Sequence, residues 1–576
     1  MSRSTTLVAF ACLGLSMVSG CTRSTAPPSH AAGTNPAAPP TGTVRFQDVT
    51  DAAGLRFVHH NSKTPKKYLI EIMGAGGAFA DVDGDGWLDI VLVDGRTLPG
   101  GDPVADPQGV RLYRNDGDGT FTDITKGSGL EAARMYGMGV AVADYDGDGR
   151  PDIYVSGVLD GGRLFQNRDG RRFRDVTAKA GVANKGRWGT SCAWFDYDHD
   201  GRLDLFVANY VKYRTLADDQ PCFAGERQKR IYCIPSAYEG TPCTLFRNRG
   251  DGTFEDASRK AGLSEHAGKS LGVSLWDVDK DGWLDVFVAN DTTPGFLFHN
   301  RKDGTFEEIG VESGVAYSDA GIPHSGMGID TGDVRNDGTM SLLLTNYYGQ
   351  ETNLYHQVEG LLFEDRRTDA GVGAHTNPMV GFGVLFVDVD NDGLLDIFQM
   401  SGHVQDEIQE REPQATFRQP ALLLRNLGSA RFDEVGLKSG EPFSVPRVGR
   451  GAAAGDVDHD GRIDLLVTEN NGSARLWRNV SEGAGHWTTL KMVATKGAKE
   501  AIGAVVACSA GGVRRRATVR TGSSYLSQSD LRVHFGLGTA TQADIEVTWP
   551  SGSVETFAGV PADRISTLVE GTGKAR

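Results

Sequence analysis

The chain has 576 residues, with 75 acidic and 59 basic side chains and a formal net charge of −16 at pH 7. An acidic chain without a basic patch is not typical of nucleic-acid binding, so no nucleic-acid partner is expected. The 76 glycines favour a fold with many tight turns.

The amino-terminal segment predicts export. An apolar run over residues 7–18 is too short to span a membrane, so residues 1–20 are predicted to be a signal peptide. Small residues before Cys21 are typical of bacterial lipoproteins and predict that Cys21 carries a lipid anchor. An ordinary signal peptide followed by a chance cysteine is the alternative. Residues 21–43 are rich in Ala, Pro, Ser and Thr and are expected to form a disordered tether.

A nine-residue acidic motif begins at Asp81. In Asp-Val-Asp-Gly-Asp-Gly-Trp-Leu-Asp, aspartates occupy positions 1, 3, 5 and 9, and glycine occupies position 6. This spacing places four carboxylates around one point, and the main-chain carbonyl of position 7 is available as a further ligand. Such hard oxygen ligands on a tight loop suit Ca²⁺. Without a cation, the carboxylates would repel one another at neutral pH.

The motif recurs along the chain, so the architecture is repetitive. Six copies are complete and predict about six Ca²⁺ ions. A seventh copy begins at Asp333 and keeps Asp337, but it has Arg335 at position 3 and Ser341 at position 9. We expect the Arg335 guanidinium to lie between the two aspartates and replace the charge of an ion. The predicted ligands at positions 1, 3, 5, 7 and 9 of the complete loops are Asp81, Asp83, Asp85, Trp87 and Asp89; Asp144, Asp146, Asp148, Arg150 and Asp152; Asp196, Asp198, Asp200, Arg202 and Asp204; Asp277, Asp279, Asp281, Trp283 and Asp285; Asp388, Asp390, Asp392, Leu394 and Asp396; and Asp456, Asp458, Asp460, Arg462 and Asp464.

The flanking sequence indicates β-hairpins rather than EF-hands. An EF-hand has a helix on each side and Glu at position 12, where the complete copies have Leu, Val or Gln. The runs after the loops are short, apolar and rich in β-branched residues, as in residues 90–93 and 286–288. An acidic turn without a metal is the alternative, because turns favour Asp and Gly.

Each repeat contains four apolar segments of strand length. One leads into the aspartates, one follows them, a third ends in asparagine as in residues 112–115, and a fourth follows a glycine turn as in residues 121–125. Four short strands per repeat are typical of one blade of a β-propeller. The last repeat lacks its fourth segment, which residues 46–50 supply. We therefore predict an all-β fold with a seven-bladed β-propeller over residues 44–482.

The repeats resemble those of FG-GAP/VCBS propellers, which are integrin-like. The sequence after Asn479 resembles the ASPIC/UnbV domain of the cartilage acidic protein family, and we expect residues 485–571 to form a small, sandwich-like β domain. The resemblance implies an extracellular, acidic, calcium-binding protein, and it implies fold and location more than activity. The tail motifs that carry it are Ala501-Ile-Gly-Ala504, Gly522-Ser-Ser-Tyr-Leu-Ser-Gln528, Val533-His-Phe-Gly-Leu-Gly538 and Val547-Thr-Trp-Pro-Ser-Gly552.

The cysteines after the tether suggest at least one disulfide. Cys222 and Cys233 flank a short polar insert without a core of its own, and we predict that they are bridged. Cys192 and Cys243 form a second candidate pair, and the state of Cys508 is left open.

The sequence contains neither a Gly-x-Ser-x-Gly elbow nor a His-Glu-x-x-His motif, so no catalytic residue is predicted. We expect a calcium-stabilised binding or adhesion module for protein or glycan. It would be lipid-anchored at the cell envelope, in the outer membrane or at the cell surface, facing the periplasm or the exterior. A lyase-like carbohydrate-active enzyme, for which His403 would be tested, and an envelope assembly scaffold are the alternatives.

The strand order also predicts where a partner binds. Neighbouring strands are antiparallel, so the turn after the first strand and the turn after the second emerge on opposite faces. The aspartate loops then share one face, here called the loop face. The long inserts and blade connections share the other, here called the insert face, where we expect the partner to bind. These segments are residues 51–77, 94–111, 209–244, 309–328 and 401–421, and they carry His59, His60, His324, His403, Asp406 and Glu407.

Overall fold

The computed structural model describes residues 42–103, 109–225 and 228–576. The predicted signal peptide, Cys21 and nearly all of the predicted tether lie outside these residues. Within them the fold is all-β, as predicted, and no helix is long and apolar enough to cross a membrane. The short helices are the α-helices Thr177–Ala180 and Val372–Thr376 and the 3₁₀ turns Leu69–Ile72, Leu130–Ala132, Leu216–Asp218, Pro235–Ala237, Leu263–Glu265, Ile408–Glu410, Gly436–Lys438 and Glu441–Phe443.

Seven four-stranded antiparallel sheets occur in the described residues, and the first strand of each leads into an aspartate loop. We number these sheets blades 1 to 7 in chain order. Their strands, from first to fourth, are Gly77–Ala80, Asp89–Val93, Val110–Asn115 and Phe121–Asp123; Tyr136–Ala143, Asp152–Val158, Arg163–Asn167 and Phe173–Asp175; Gly189–Phe195, Asp204–Asn209, Thr244–Asn248 and Phe254–Asp256; Ser270–Trp276, Asp285–Asn290, Phe296–Asn300 and Phe306–Glu308; Ile329–Gly332, Ser341–Leu344, Asn353–Glu359 and Leu362–Asp365; Gly381–Val387, Asp396–Ser401, Leu422–Asn426 and Phe432–Glu434; and Gly449–Gly455, Asp464–Glu469, Arg475–Asn479 and Phe46–Asp48.

The first strands of these sheets form a closed ring. Each contacts the first strand of the next blade in chain order, and the first strand of blade 7 contacts that of blade 1. The strand Phe46–Asp48 completes blade 7 by pairing antiparallel with Arg475–Asn479, so that Phe46 lies opposite Asn479. The two ends of the repeat sequence therefore meet in one sheet, as the missing fourth segment predicted.

Aromatic side chains fill the space between neighbouring blades. The fully buried Trp194 of blade 3 packs edge-on against Tyr154 of blade 2, with ring centroids 6.3 Å apart, and its indole N–H donates to the carbonyl of Ala141. Burying an aromatic side chain of this kind stabilises a fold by about 1.5–3 kcal/mol. The apolar strands of the sequence thus hold the blades to one another as well as within each sheet.

Residues after the ring form two further sheets that share one apolar core. The three-stranded sheet has the order Val533–Gly538, His486–Val493, Arg564–Val569. The five-stranded sheet ends at Lys574–Ala575, four residues beyond the expected end of the domain at residue 571, because that strand pairs with Glu555 and Thr556. We call this part the C-terminal domain. The order of its five-stranded sheet is Val513–Thr518, Val505–Ala510, Gln542–Thr548, Val554–Pro561, Lys574–Ala575.

One loop of the C-terminal domain lies inside the ring. Residues 520–530, here called the central loop, bond to the first strand of every blade; for example, Ser524 exchanges main-chain hydrogen bonds with Ile329 of blade 5. The Gln528 side chain bonds to both the N–H and the carbonyl of Val142 in blade 2. The loop comes so close that a β-carbon on Gly76 would lie 1.7 Å from the carbonyl oxygen of Leu526. The contacts with blades 1, 3, 4, 6 and 7 are made by Gln528, Thr521, Arg520, Ser524 and Asp530, respectively.

The insert of blade 3 contains a small hairpin in which Cys222–Ala224 pairs with Lys229–Ile231. Cys222 and Cys233 are bridged, with an S–S distance of 2.00 Å. The second suggested pair is wrong, because Cys192 and Cys243 are separate buried thiols, and Cys508 is a third. Each of these three cysteines fills a position in an apolar core and is packed as a small hydrophobic side chain.

Candidate metal centres and the insert face

The aspartate loops share one local geometry, shown here for blade 2. Asp144 at position 1 accepts the N–H of Asp148 at 3.0 Å on one oxygen and the N–H of Gly149 at 2.7 Å on the other. The Gly149 φ of 89° explains why position 6 is glycine. Carboxylate oxygens of three aspartates of one loop come within 4.8 Å of one another in the loops of blades 1, 2, 3, 4 and 6.

The aspartate at position 9 also ties its loop to the end of the third strand. In blade 1, Asp89 accepts the N–H of Val82 at 3.0 Å and the N–H of Asn115 at 2.9 Å. Asp285 repeats both bonds in blade 4, to Val278 and Asn300. Position 9 therefore fixes the hairpin in addition to contributing charge, which explains why it is aspartate rather than a longer glutamate.

The donor set fits a cation. Several carboxylate oxygens in the loops are buried without a hydrogen-bond partner, which is costly for a charged group unless a cation binds there. Both carboxylate oxygens of Asp390 are among them. The others are one oxygen each of Asp81, Asp152, Asp198, Asp281, Asp388 and Asp458.

Burial and like charges act together on these groups. Burial raises the pKa of Asp89 to about 8, that of Asp152 to about 9 and that of Asp196 to about 7, and neighbouring aspartates raise each further. In the ion-free loops the carboxylates therefore retain protons near neutral pH. A divalent cation at the same point would replace those protons.

Basic side chains of the third strands approach the same carboxylates. Arg247 lies 2.6 Å from Asp198 and 2.7 Å from Asp200 in blade 3. Lys302, in the turn after the third strand of blade 4, lies 2.7 Å from Asp281. The position-7 arginines of blades 2, 3 and 7 also pair with the position-5 aspartate of their own loop; they are Arg150, Arg202 and Arg462. At these three positions the main-chain carbonyl was the predicted ligand, and the side chain neutralises a loop carboxylate.

The degenerate loop of blade 5 differs from its prediction in one respect. Arg335 pairs with Asp337 at 3.0 Å and donates to Thr339 at 2.6 Å, but the structure records no ion pair between Arg335 and Asp333. Asp333 instead accepts the N–H groups of Asp337 and Gly338, as position 1 does elsewhere. Arg335 thus neutralises one aspartate and does not bridge two.

The repeated asparagine at the end of each third strand has a role that the sequence analysis missed. In blade 2, Asn167 donates from its side chain to the carbonyl of Val82 in the loop of blade 1, at 2.8 Å. Gln357 takes this role in blade 5, bonding to Val278 of blade 4. The repetition of asparagine at this position was the available signal. The remaining bridges join Asn115 to Val457, Asn248 to Tyr145, Asn300 to Tyr197, Asn426 to Val334 and Asn479 to Val389.

The C-terminal domain lies against the loop face. Lys491 is 3.6 Å from Asp81 in blade 1, and Arg515 donates to the carbonyl of Gly393 in blade 6 at 3.1 Å. The N–H of Asp144 in blade 2 donates to Glu500 at 2.8 Å. The face that carries the predicted ions is therefore covered by a second domain.

The insert face is closed by contacts between its long segments. Lys67 lies over the Tyr232 ring and pairs with Asp406 at 2.6 Å. The Tyr232 hydroxyl donates to Glu71 at 3.0 Å, and Glu71 is fully buried. Residues 59–72, the insert of blade 3 and the insert of blade 6 thus form one cap, on the side of the ring opposite the C-terminal domain.

The four histidines predicted on this face are engaged by their own neighbours. His60 pairs with Asp94 at 2.9 Å, and the ring of His324 bonds to the hydroxyl of Tyr355 at 2.8 Å. His403 is fully buried and bonds to Tyr347; its burial lowers the pKa to about 4. His59 is buried as well and accepts the N–H of Asn471. The structure does not bring these histidines into one cluster.

Residues 494–575 match the ASPIC and UnbV family, and residues 81–155, 233–288 and 277–344 match FG-GAP-like repeats. The chain is therefore a propeller-like FG-GAP repeat protein with a C-terminal ASPIC and UnbV domain. It is similar to Cartilage acidic protein 1 of Homo sapiens, with 27% identity over 497 residues, which are 83% of this chain and 69% of that protein. The Mus musculus protein is 27% identical over 518 residues, covering 86% and 73%.

Two solved structures resemble the chain more distantly. One is a lectin from Agrocybe aegerita that recognises non-reducing terminal N-acetylglucosamine, with a TM-score of 0.38, 17% identity and coverage of 70% of this chain and 94% of the lectin. The other is a rhamnogalacturonan lyase from Bacillus licheniformis, with a TM-score of 0.34, 14% identity and coverage of 75% of each chain. Neither likeness bears on function.

Proposed function

We propose that this protein is a calcium-stabilised binding module, anchored to the cell envelope through Cys21, that recognises an extracellular protein or glycan on its insert face. The observation that carries the proposal is the position of the C-terminal domain. It covers the loop face and fills the centre of the ring, so the insert face is the broad end of the ring that it leaves open.

The tip of the blade 3 insert has the character of a contact surface. Phe223 and Ile234 are 52% and 60% exposed, and Arg230 lies over the Phe223 ring at 5.6 Å. The disulfide and the Tyr232–Glu71 bond hold this tip in place. Exposed apolar side chains on a rigid, charged insert are typical of protein contact sites.

Paired variants test the proposal against a glycan array and envelope-protein fractions in the presence of calcium. Phe223→Ser with Ile234→Ser should reduce binding at least tenfold without a large change in melting temperature. Asp277→Ala on the loop face should lower the melting temperature and leave binding intact at low temperature. If the loop-face variant loses binding while the insert variant keeps it, the recognition surface is on the other face.

A further inference from the structure

A cavity of about 600 Å³ lies between the loop face and the C-terminal domain, beside the aspartate loops of blades 1 and 2. This volume lies within the range of small-molecule pockets, which often form at domain interfaces. Phe79 and Val142 contribute apolar walls from the ring, and Met492, Leu531 and Ile565 contribute them from the C-terminal domain. The function proposed above makes no use of this cavity.

Glu500 supplies an unused acceptor on the blade 2 side of the cavity. Its Oε1 accepts the N–H of Asp144 at 2.8 Å, whereas its Oε2 is buried and has no hydrogen-bond partner. Lys491 and Lys499 also line the cavity, but the structure records no ion pair between Glu500 and either lysine. A buried carboxylate oxygen in this position favours a cationic hydrogen-bond donor.

Arg532 supplies an unused donor next to the loops of blades 1 and 7. Its Nε donates to Asp530 at 2.6 Å and its Nη1 donates to the carbonyl of Gly86 at 3.2 Å. The Nη2 atom is buried and has no partner. A guanidinium with a free N–H edge favours a carboxylate.

We propose that this cavity binds a short apolar peptide with free ends, of two or three residues. Its ammonium group would pair with Glu500, its carboxylate with Arg532, and its side chains would lie against Phe79, Leu531 and Ile565. The two charged groups contact different blades, so a ligand with separated opposite charges matches them better than a simple amine or a fatty acid. The apolar walls between them favour aliphatic or aromatic side chains.

Isothermal titration calorimetry on the calcium-loaded mature protein tests this with three probes: Leu-Leu, N-acetyl-Leu-Leu and Leu-Leu amide. Leu-Leu should bind most tightly, and blocking either end should weaken binding by at least about tenfold, as expected for loss of one charged hydrogen bond. Glu500→Gln should remove the preference over the acetylated peptide only. Arg532→Met should remove the preference over the amide only. Arg514→Gln, in a separate cavity near blades 4 and 5, is the matched control and should change neither preference.

The comparison of the three probes on the unmodified protein needs no variant, so it decides the proposal even if a substitution impairs folding. Absence of binding at millimolar Leu-Leu, or equal binding of all three peptides, would overturn the assignment. Retention of both end preferences by the two variants would overturn it as well. Insert-face binding is measured with different ligands, so either proposal can fail alone.

Discussion

Asn115 donates from its side-chain amide to the main-chain carbonyl of Val457 at 2.9 Å, although 342 positions separate the two residues. The same amide also donates to Leu88 of its own loop, at 3.2 Å. Every other blade makes the equivalent bond to the blade before it, so this contact is the one that closes the ring between blades 7 and 1. The aspartate loops are thus connected to one another by amide groups as well as by blade packing.

Replacing Asn115 with alanine should destabilise the protein by about 1–3 kcal/mol, because two buried carbonyl groups lose their donor. Chemical denaturation, read by tryptophan fluorescence, measures the change. Asn377→Ala is the control, because Asn377 is exposed and no side-chain hydrogen bond is recorded for it; it should change the stability by less than about 0.5 kcal/mol. Equal effects of the two substitutions would show that the bridge contributes nothing.

Removing calcium should lower the melting temperature. Each site that binds Ca²⁺ only in the folded state contributes about 2.7 kcal/mol when free calcium is a hundredfold above its dissociation constant. Elemental analysis of the purified protein should find about six calcium ions per chain. A melting curve unchanged by chelator, together with an absence of calcium, would show that the loops are acidic turns only.

Without calcium, the pH dependence should run opposite to that of a typical salt-bridged protein. The folded-state pKa values of Asp89 and Asp152, about 8 and 9, lie above the unfolded value of about 4. The folded state therefore holds more protons between pH 4 and 9, and stability falls as the pH rises through this window. In chelator, the melting temperature should be higher at pH 6 than at pH 8. Excess calcium should remove or reverse this difference, because protons and calcium compete for the same carboxylates.

The spacing of aspartates and β-rich runs predicted the all-β fold and the pairing of Phe46–Asp48 with the last repeat, because both are properties of local sequence repeated along the chain. The role of Gln528 could not be predicted. Its motif reads as an ordinary loop of the tail, and only the assembled ring shows that its amide bonds to Val142, 386 positions away. The separation of Cys192 and Cys243 was also invisible, since sequence does not give the direction of a buried side chain.

The cysteine arrangement makes a chemical prediction. Peptide mapping under native, non-reducing conditions should find Cys222 linked to Cys233. Cys192, Cys243 and Cys508 should stay unreactive toward a thiol reagent until the protein is unfolded, because all three are buried. Burial also raises the pKa of Cys243 to about 11, so its thiol is protonated at neutral pH. Rapid modification of any of the three in the folded protein would contradict this arrangement.

The last prediction concerns the degenerate loop of blade 5, which should be convertible into an ion site. Arg335→Asp restores the carboxylate at position 3, and Ser341→Asp restores the one at position 9. The second change places a carboxylate beside His356, which now bonds to Ser341 at 2.7 Å.

Blade 4 already contains that arrangement, because His299 bonds to the position-9 Asp285 at 2.9 Å. The double variant should therefore bind one more calcium ion than the unmodified protein in elemental analysis. Arg335→Ala, which removes the cation without adding a ligand, should leave the calcium count unchanged. A seventh ion in the unmodified protein would show that Arg335 does not take the place of an ion.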